Sequence, residues 1–419
     1  MNNNNLIYNL DSHIPFKHIL IYGFQELLAV LVATILITSI CGVPIGAGLI
    51  GAGLATITYN LITRGNSNVF ISNSGAFVSP CLFAFAAGGG TAAMIGAFVI
   101  MIIYIIMGLI FSKIPMEKLY IYLPKTLIAT ITILIGLSLI NYIPSYLGDS
   151  GFWGTIIALI TAFTIGLTMH YGKGKLKTLP FLIGVTVGYL VSFVLTICNI
   201  ASLIDFSVFS NLSFIQIPKF NFLNLTIINS NIIIPVIIIY TVYALSASCE
   251  VISDTQAMSV VINEDLFKRN GFKRIFIATG VANGISGLIS GLGQTSYGEG
   301  TGCTAASRVA SAKVTTMTAV FLILMGLCGP VQALLLSIPN VVFAGASIVL
   351  YPLIAIAGLK MLIHNQVDLD DTKNLLLVGV PLAIGLSGIA IGGTTFALSG
   401  VALALIAGVV LNLILKNKN

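Results

Sequence analysis

Apolar runs about 20 residues long, the length a helix needs to cross a bilayer, follow one another down the chain with short polar breaks between them. They extend from His18 to Cys41, Val43 to Ile62, Thr91 to Phe111, Leu119 to Tyr142, Gly154 to His170 and Leu179 to Ile200. After a less regular stretch come Ile232 to Asp254, Ile275 to Leu292, Val314 to Ile338, Val341 to Leu362, Leu375 to Ile391 and Thr395 to Leu415. These runs predict twelve spanning helices. Two shorter segments, Val69 to Ala87 and Gln294 to Ala310, are broken by polar residues and glycine and bring the expected number to about fourteen, since broken segments are how transporters build their sites. The pattern is that of an all-α polytopic membrane protein with short strands expected in the two broken segments.

The broken segments stand third and tenth, the third place of each set of seven. Seven is odd, so the second set crosses in the opposite sense, and an inverted repeat with a site near the midplane is expected. The tenth segment reads GQTSYGEGTGCTAASR from Gly293 to Arg308. Thr295, Ser296 and Tyr297 suit a short strand, and a helix with a small-residue face is expected to begin near Glu299, its N-terminus towards a ligand. The third reads FISNSGAFVSP from Phe70 to Pro80, where Ser72, Asn73 and Ser74 supply polar groups and Pro80 a break or a helix start. Non-helical backbone at membrane depth is tolerated only where it is buried in protein or lines a cavity, which favours a site over an ordinary loop.

Composition agrees: 57% of residues are hydrophobic and 8% charged, against about a quarter charged in a soluble domain, and the mean hydropathy is +1.05. The net charge of +6 would suggest nucleic acid in a soluble protein, but the basic residues fall in alternate loops: Arg64; Lys113 and Lys118; Lys173, Lys175 and Lys177; Lys268, Arg269, Lys273 and Arg274; Lys313, Lys360 and Lys373; and the terminal Lys416 and Lys418. Lys219 is the exception. Cytoplasmic loops collect Lys and Arg, so both termini are expected in the cytoplasm of a protein held in the plasma (inner) membrane, with no nucleic acid partner. Met1 to Lys17 is polar and no cleaved signal peptide is expected. The six cysteines lack metal-ligand spacing, so neither metal nor disulfide is expected. No triad, zinc cluster, phosphate loop or dinucleotide fingerprint appears, which leaves an enzyme little to stand on and calls for no cofactor.

Most acidic residues sit in loops or tails; Glu26, Glu250, Asp254 and Glu299 do not. Acidic groups within spanning segments face an interior or a cavity and mark ion or proton pathways. Glu250 and Asp254, four apart, share one face of a helix, at the end of the eighth run or part-way along a longer one. Two carboxylates so close, partly desolvated, do not both ionise readily, which is how a proton-coupled carrier would be built. Glu26 lies well inside the first run, lining the site or bonding another segment.

With these residues in view, the chain resembles the nucleobase-ascorbate transporter family, the uracil and xanthine permeases, over nearly its whole length. GFQELLAVLVAT resembles the family's first segment, SNSGAFVSP its third, SCEVISD its eighth and TSYGEGTGCTAASR its tenth, with the family signature at Glu299, Gly300, Thr301, Gly302, Ser307 and Arg308. The resemblance implies fourteen segments in two inverted repeats. Residues 1–112 and 232–338 would form a core domain, 113–204 and 339–419 a gate domain, and 205–231 an extracytoplasmic connection. It implies import of a nucleobase with protons, sodium being the less favoured ion, and admits a homodimer. Glu299 corresponds to the residue that hydrogen-bonds the base and Glu250 to the second substrate carboxylate. Ala76, Phe77, Tyr297, Gly298 and Gly300 would complete the binding site, the backbone N–H groups of Phe77 and Gly298 suiting carbonyl oxygens. Glu250, Asp254 and Glu26 would carry the proton.

Three positions depart from the family pattern: Glu26 stands for a His, Gly300 for an Asn and Ser307 for a Thr. Asp254 is typical of purine members, while Tyr297-Gly298-Glu299 is typical of uracil members. The expectation is a proton-coupled symporter for a dioxo base, xanthine or urate somewhat ahead of uracil, with Gly300 leaving room for a second ring. The rival is an anion exchanger or passive channel on the same inverted-repeat fold.

Overall fold

The computed structural model describes residues 6–113, 116–148, 150–173, 179–210, 213–223, 225–393 and 396–415; Lys175, Lys177, Lys416 and Lys418 of the loop-charge pattern lie outside them. In the first half, α1 (Phe16–Ile40) and α2 (Ile45–Ile62) lead to a short strand β1 (Ile71–Asn73) and a 3-10 turn (Gly75–Phe77). Then come α3 (Val78–Phe111), α4 (Met116–Tyr122), α5 (Lys125–Leu139), α6 (Ile143–Leu147), α7 (Gly151–Tyr171) and α8 (Pro180–Ile197). In the second half, α9 (Ser230–Ile262) and α10 (Leu266–Ile289) lead to β2 (Gln294–Ser296) and α11 (Gly298–Ser307). They are followed by α12 (Ala312–Leu327), α13 (Gly329–Leu336), α14 (Asn340–His364), α15 (Thr372–Leu386), the strands β3 (Ala390–Gly393) and β4 (Phe396–Ser399), and α16 (Gly400–Ile414).

A shift of 223 residues carries β1 onto β2. The same shift lays α2 within α10, α5 within α14, and α7 and α8 over α15 and α16. The two broken segments are therefore repeat counterparts, and β1 and β2 pair antiparallel with Ile71 opposite Ser296, Ser72 opposite Thr295 and Asn73 opposite Gln294. Eight helical stretches among the described residues are long and apolar enough to cross a membrane. The difference from about fourteen segments has two causes. The stretch Gly75–Phe111 holds two segments, separated by non-helical backbone at Gly88 and Gly89 (φ 63°), a conformation glycine adopts freely. Others are short, or, like α10, open with four basic residues.

Four sequence boundaries need correction. The run expected from Leu119 to Tyr142 is divided by Pro124, whose φ and missing N–H end α4 and start α5. The run expected from Val314 to Ile338 breaks at Cys328, which is extended ahead of Gly329-Pro330. The run ending at Ile391 stops earlier, at Leu386, because Gly388 takes a left-handed φ of 74° and the β-branched and aromatic residues beyond it pair as a β3–β4 hairpin. In the other direction, α9 continues past Asp254 to Ile262, so Glu250 and Asp254 lie part-way along a longer helix.

Packing gathers α1, α2, α3, α9, α10 and α12 around the strand pair, and α5, α7, α8, α14, α15 and α16 into a second group. Within the second, α5 and α14 approach backbone to backbone: a side chain at Gly136 would strike the backbone of Tyr351 and Ala355, and one at Gly358 would lie 2.6 Å from the Ala129 carbonyl. Ahead of α1, the N-terminal residues hold the far end of α11. Ile7 N–H donates to Arg308 O (2.8 Å) and Ala310 N–H to Tyr8 O (2.9 Å), while Asp11 pairs with Arg269, whose guanidinium holds the Asp11 carboxyl below the usual carboxylate range.

Candidate functional site

The site grows out of the strand crossing. Tyr297 N–H donates to Phe70 O and Ser74 N–H to Gly293 O, both at 2.9 Å, which extends the ladder by a bond at each end. Each strand then turns into a helix leading away. The Ser74 hydroxyl accepts from Ala76 N–H (3.1 Å) and caps the 3-10 turn, and Tyr297 precedes α11. Buried amides and hydroxyls fix the crossing. Asn73 Nδ2 donates to Thr38 Oγ1 (2.8 Å) on α1, Gln294 Nε2 to Asn73 Oδ1 (2.7 Å), and the Tyr297 hydroxyl to Asn73 O (2.6 Å).

Helix α9 lays its two carboxylates across these strands. Glu250 Oε2 accepts from Ser74 Oγ (3.0 Å) and Thr295 Oγ1 (2.8 Å), one hydroxyl from each repeat. Asp254 Oδ2, one turn on, accepts from Ser296 Oγ (2.8 Å). Both side chains are buried. Glu299 stands in the first turn of α11, half-buried.

A cavity of about 640 Å³ opens beside the crossing, within the ~300–1,000 Å³ typical of small-molecule sites. Asn73, Gly75, Glu250, Ser253, Asp254, Ser296, Tyr297, Gly298 and Glu299 border one end. The wall continues along Thr301, Gly302, Ala305 and Ala306 of α11, faced by Leu353, Ile354 and Ala357 of α14, to Lys360, His364 and Asn365 at the last turn of α14. At the end bordered by the strands, Leu139 of α5 packs against Gly75, and the Tyr146 hydroxyl of α6 donates to Leu36 O of α1 (2.8 Å).

Of the residues singled out in the sequence, Glu250, Asp254, Glu299, Tyr297 and Gly298 come together on this cavity. Ala76 and Phe77 stand behind it: both are buried, the Phe77 ring stacks on Tyr240 (6.5 Å) and its N–H donates to Ser74 O (3.1 Å). Gly300 also faces away, and the room expected there for a second ring is not cavity space. A Cβ on it would meet Phe70 Cβ at 3.0 Å and Glu26 Oε1 at 3.5 Å, because one residue beyond Glu299 is about 100° further round α11. Glu26, buried on α1, is therefore on the opposite side of α11 from the α9 pair and accepts from Thr318 Oγ1 of α12 (2.9 Å). Neither Arg308 nor Lys125 borders the cavity, whereas Lys360 does. Lys360, Leu139 and Thr318 lie in or at the ends of apolar runs and carry no sequence signal of their position.

Residues 17–394 match the family model Xan_ur_permease, described as Permease family. The chain is similar to the uracil permease of Bacillus subtilis (strain 168), 32% identical over 416 residues with 97% of this chain and 94% of that one covered. It is likewise similar to the uracil permease of Bacillus caldolyticus, 32% identical over 402 residues (94% and 91% covered), and to that of Escherichia coli (strain K12), 30% identical over 411 (96% and 92%). Among solved structures, the transmembrane domain of a cyanobacterium bicarbonate transporter, BicA, superposes with a TM-score of 0.62 at 16% identity (96% of this chain, 98% of that one). SLC26A9 does so with 0.67 at 13% identity (96% and 66%). At such identities these two likenesses speak of fold alone, the inverted-repeat transporter fold.

Proposed function

The chain belongs to the Xan_ur_permease family of permeases, a multi-pass membrane transporter and not an enzyme, and from that premise we propose that it is a proton-coupled symporter importing a dioxo nucleobase across the plasma membrane. The observation that carries the proposal is the convergence of Glu250, Asp254 and Glu299 on one cavity at the crossing of the two repeats. Carboxylates accept and do not donate, so the complementary ligand presents N–H groups, and an imide edge offers one between two carbonyls. Glu299 takes an N–H of the base at the first turn of α11. Ser74 and Thr295, one from each repeat, hold Glu250 ready for a second. The core unit that binds the base is the group built round α1, α3, α9 and α10, and the gate is the group built round α5 and α14. The cationic loops set both termini in the cytoplasm, and the end of the cavity at Lys360 and His364 then faces inward.

Uracil moves ahead of xanthine and urate in this reading. Gly300 no longer argues for a second ring, and the relatives described above are named for uracil. Coupling runs through Glu250 and Asp254, which lie one turn apart on α9 and share the hydroxyl array of the strands. The rival reading, an anion exchanger or channel, has three carboxylates against it where an anion would sit. Radiolabelled uptake with unlabelled uracil, xanthine, urate and adenine as competitors, repeated with a protonophore, tests the proposal. Uptake competed by the dioxo bases and abolished by the protonophore is expected. An unpaired buried group costs about 1–3 kcal/mol, so adenine should compete roughly tenfold more weakly or worse; equal competition by adenine, or no uptake of any base, overturns the reading.

A further inference from the structure

Behind α11, away from the base cavity, three oxygens compete for one hydrogen. The Thr318 hydroxyl lies 2.9 Å from Glu26 Oε2, 3.0 Å from Gly23 O and 3.1 Å from Val314 O. A hydroxyl donates once, so at most one of those three acceptors is served by it. Glu26 is 4% exposed, and among the described residues the ion pairs are those of Arg269 and Lys268, far from it in the fold. A buried carboxylate of this kind is paired, neutralised or bound to a cation. What surrounds it is a set of hard oxygen donors from two helices: a carboxylate, a hydroxyl and two backbone carbonyls.

We propose that Glu26, Thr318 and the Gly23 and Val314 carbonyls form a monovalent-cation site, filled by a proton on Glu26 or by Na⁺ among these oxygens. The site is distinct from the base cavity and stands whether or not the base reading holds. Two further observations give it a place in the transporter. Glu26 Oε1 would lie 3.5 Å from a Cβ on Gly300, so the cation sits against the back of the helix whose front carries Glu299. Allowing one residue more than the repeat offset, Glu26 on α1 is also the counterpart of Glu250 on α9. The fold thus places one buried carboxylate from each repeat on either side of α11. Of the elements around Glu26, α11 contributes the thiol of Cys303, α12 Thr318, and the chain ahead of β1 the ring of Phe70; Tyr22 is one turn back on α1. A cation here neutralises Glu26 and lets α1, α11 and α12 close together. Without it the carboxylate repels the oxygens around it.

Thermal melting of the purified protein in detergent, with no base present, tests the site in two arms: Na⁺ against choline at pH 8, and pH 5.5 against pH 8 in choline. A ligand that binds only the folded state raises Tm; an increment of about 2 °C or more in wild type, lost in Glu26→Gln, is expected. Thr318→Val keeps the carboxylate and removes one ligand, and should reduce the increment. A response to Na⁺ identifies the metal ion, and a response to pH alone identifies the proton. Increments in Glu26→Gln equal to those of wild type overturn the site, as does their absence in wild type. Should Glu26→Gln not fold, an undiminished increment in Thr318→Val does the same. A protein that takes up no base yet shows these increments loses the base reading and keeps the cation site.

Discussion

Gly75→Ala should unseat the end of the cavity against which Leu139 packs. Gly75 borders the cavity, and a Cβ there would lie 2.5 Å from Leu139 Cδ1 and 3.4 Å from its Cδ2. Carbon atoms rest at about 3.5–4.0 Å, so Leu139 must retreat by about 1 Å. It is 1% exposed and has little room to do so within the closed arrangement. Overpacking of a filled interior costs about 1–3 kcal/mol. If α5 and the strand crossing part when that end opens, the cost falls on the closed state alone, and the equilibrium moves towards the open one by about 5- to 150-fold at 1.4 kcal/mol per tenfold. The hydrogen bond from Tyr146 to Leu36 O is a further tie and limits the shift to the lower part of that range. A cysteine at Ala76, buried beside the contact, introduced into a background without native cysteines, should react faster with an impermeant maleimide in intact cells when Gly75→Ala is present, and uptake should fall. Leu139→Ala, which clears the space, should reverse both effects. Labelling and uptake at wild-type rates in Gly75→Ala, or no reversal in the double variant, would refute the idea that this contact is a seal between two units that separate.

Three further outcomes are expected. Glu299→Ala should abolish binding of the base by calorimetry, while Glu299→Gln retains part of it, since an amide keeps one acceptor and loses the charge-assisted strength, a loss of about twofold in the energy of that bond. Wild-type affinity in the Ala variant removes Glu299 from the site. Asp254→Asn should flatten the dependence of uptake on external pH more than it weakens equilibrium binding; an unchanged pH profile dissociates the α9 pair from coupling. A cysteine in place of Lys268, whose side chain is 88% exposed, should react with impermeant reagents only after permeabilisation, and labelling in intact cells would invert the proposed orientation.

The amino-acid sequence by itself determined that the chain is built of spanning segments, if not all their boundaries, the two broken ones and their repeat relation, and the short list of carboxylates inside the membrane. Each of these follows from a local rule. A crossing helix must be long and apolar, irregular backbone at depth must be sheltered, and a buried charge stands out against an apolar background. Glu250 and Asp254 could be set on one face by spacing alone, and a short strand was legible in each broken segment, that of the tenth expected over Thr295–Tyr297 and lying one residue earlier, over Gln294–Ser296. What only the tertiary structure decided is which way those segments face. Gly300 looks from the sequence like a neighbour of the substrate and turns instead to Glu26; Phe77 turns to Tyr240; and Leu139, Thr318 and Lys360 gain their places from helices far away in the chain. In a soluble protein the apolar face of a helix reveals its inner side. Here lipid and protein interior are both apolar, so a helix such as α12 has no face more apolar than the rest, and its orientation is set by close packing and hydrogen bonds between segments, which a linear pattern does not record.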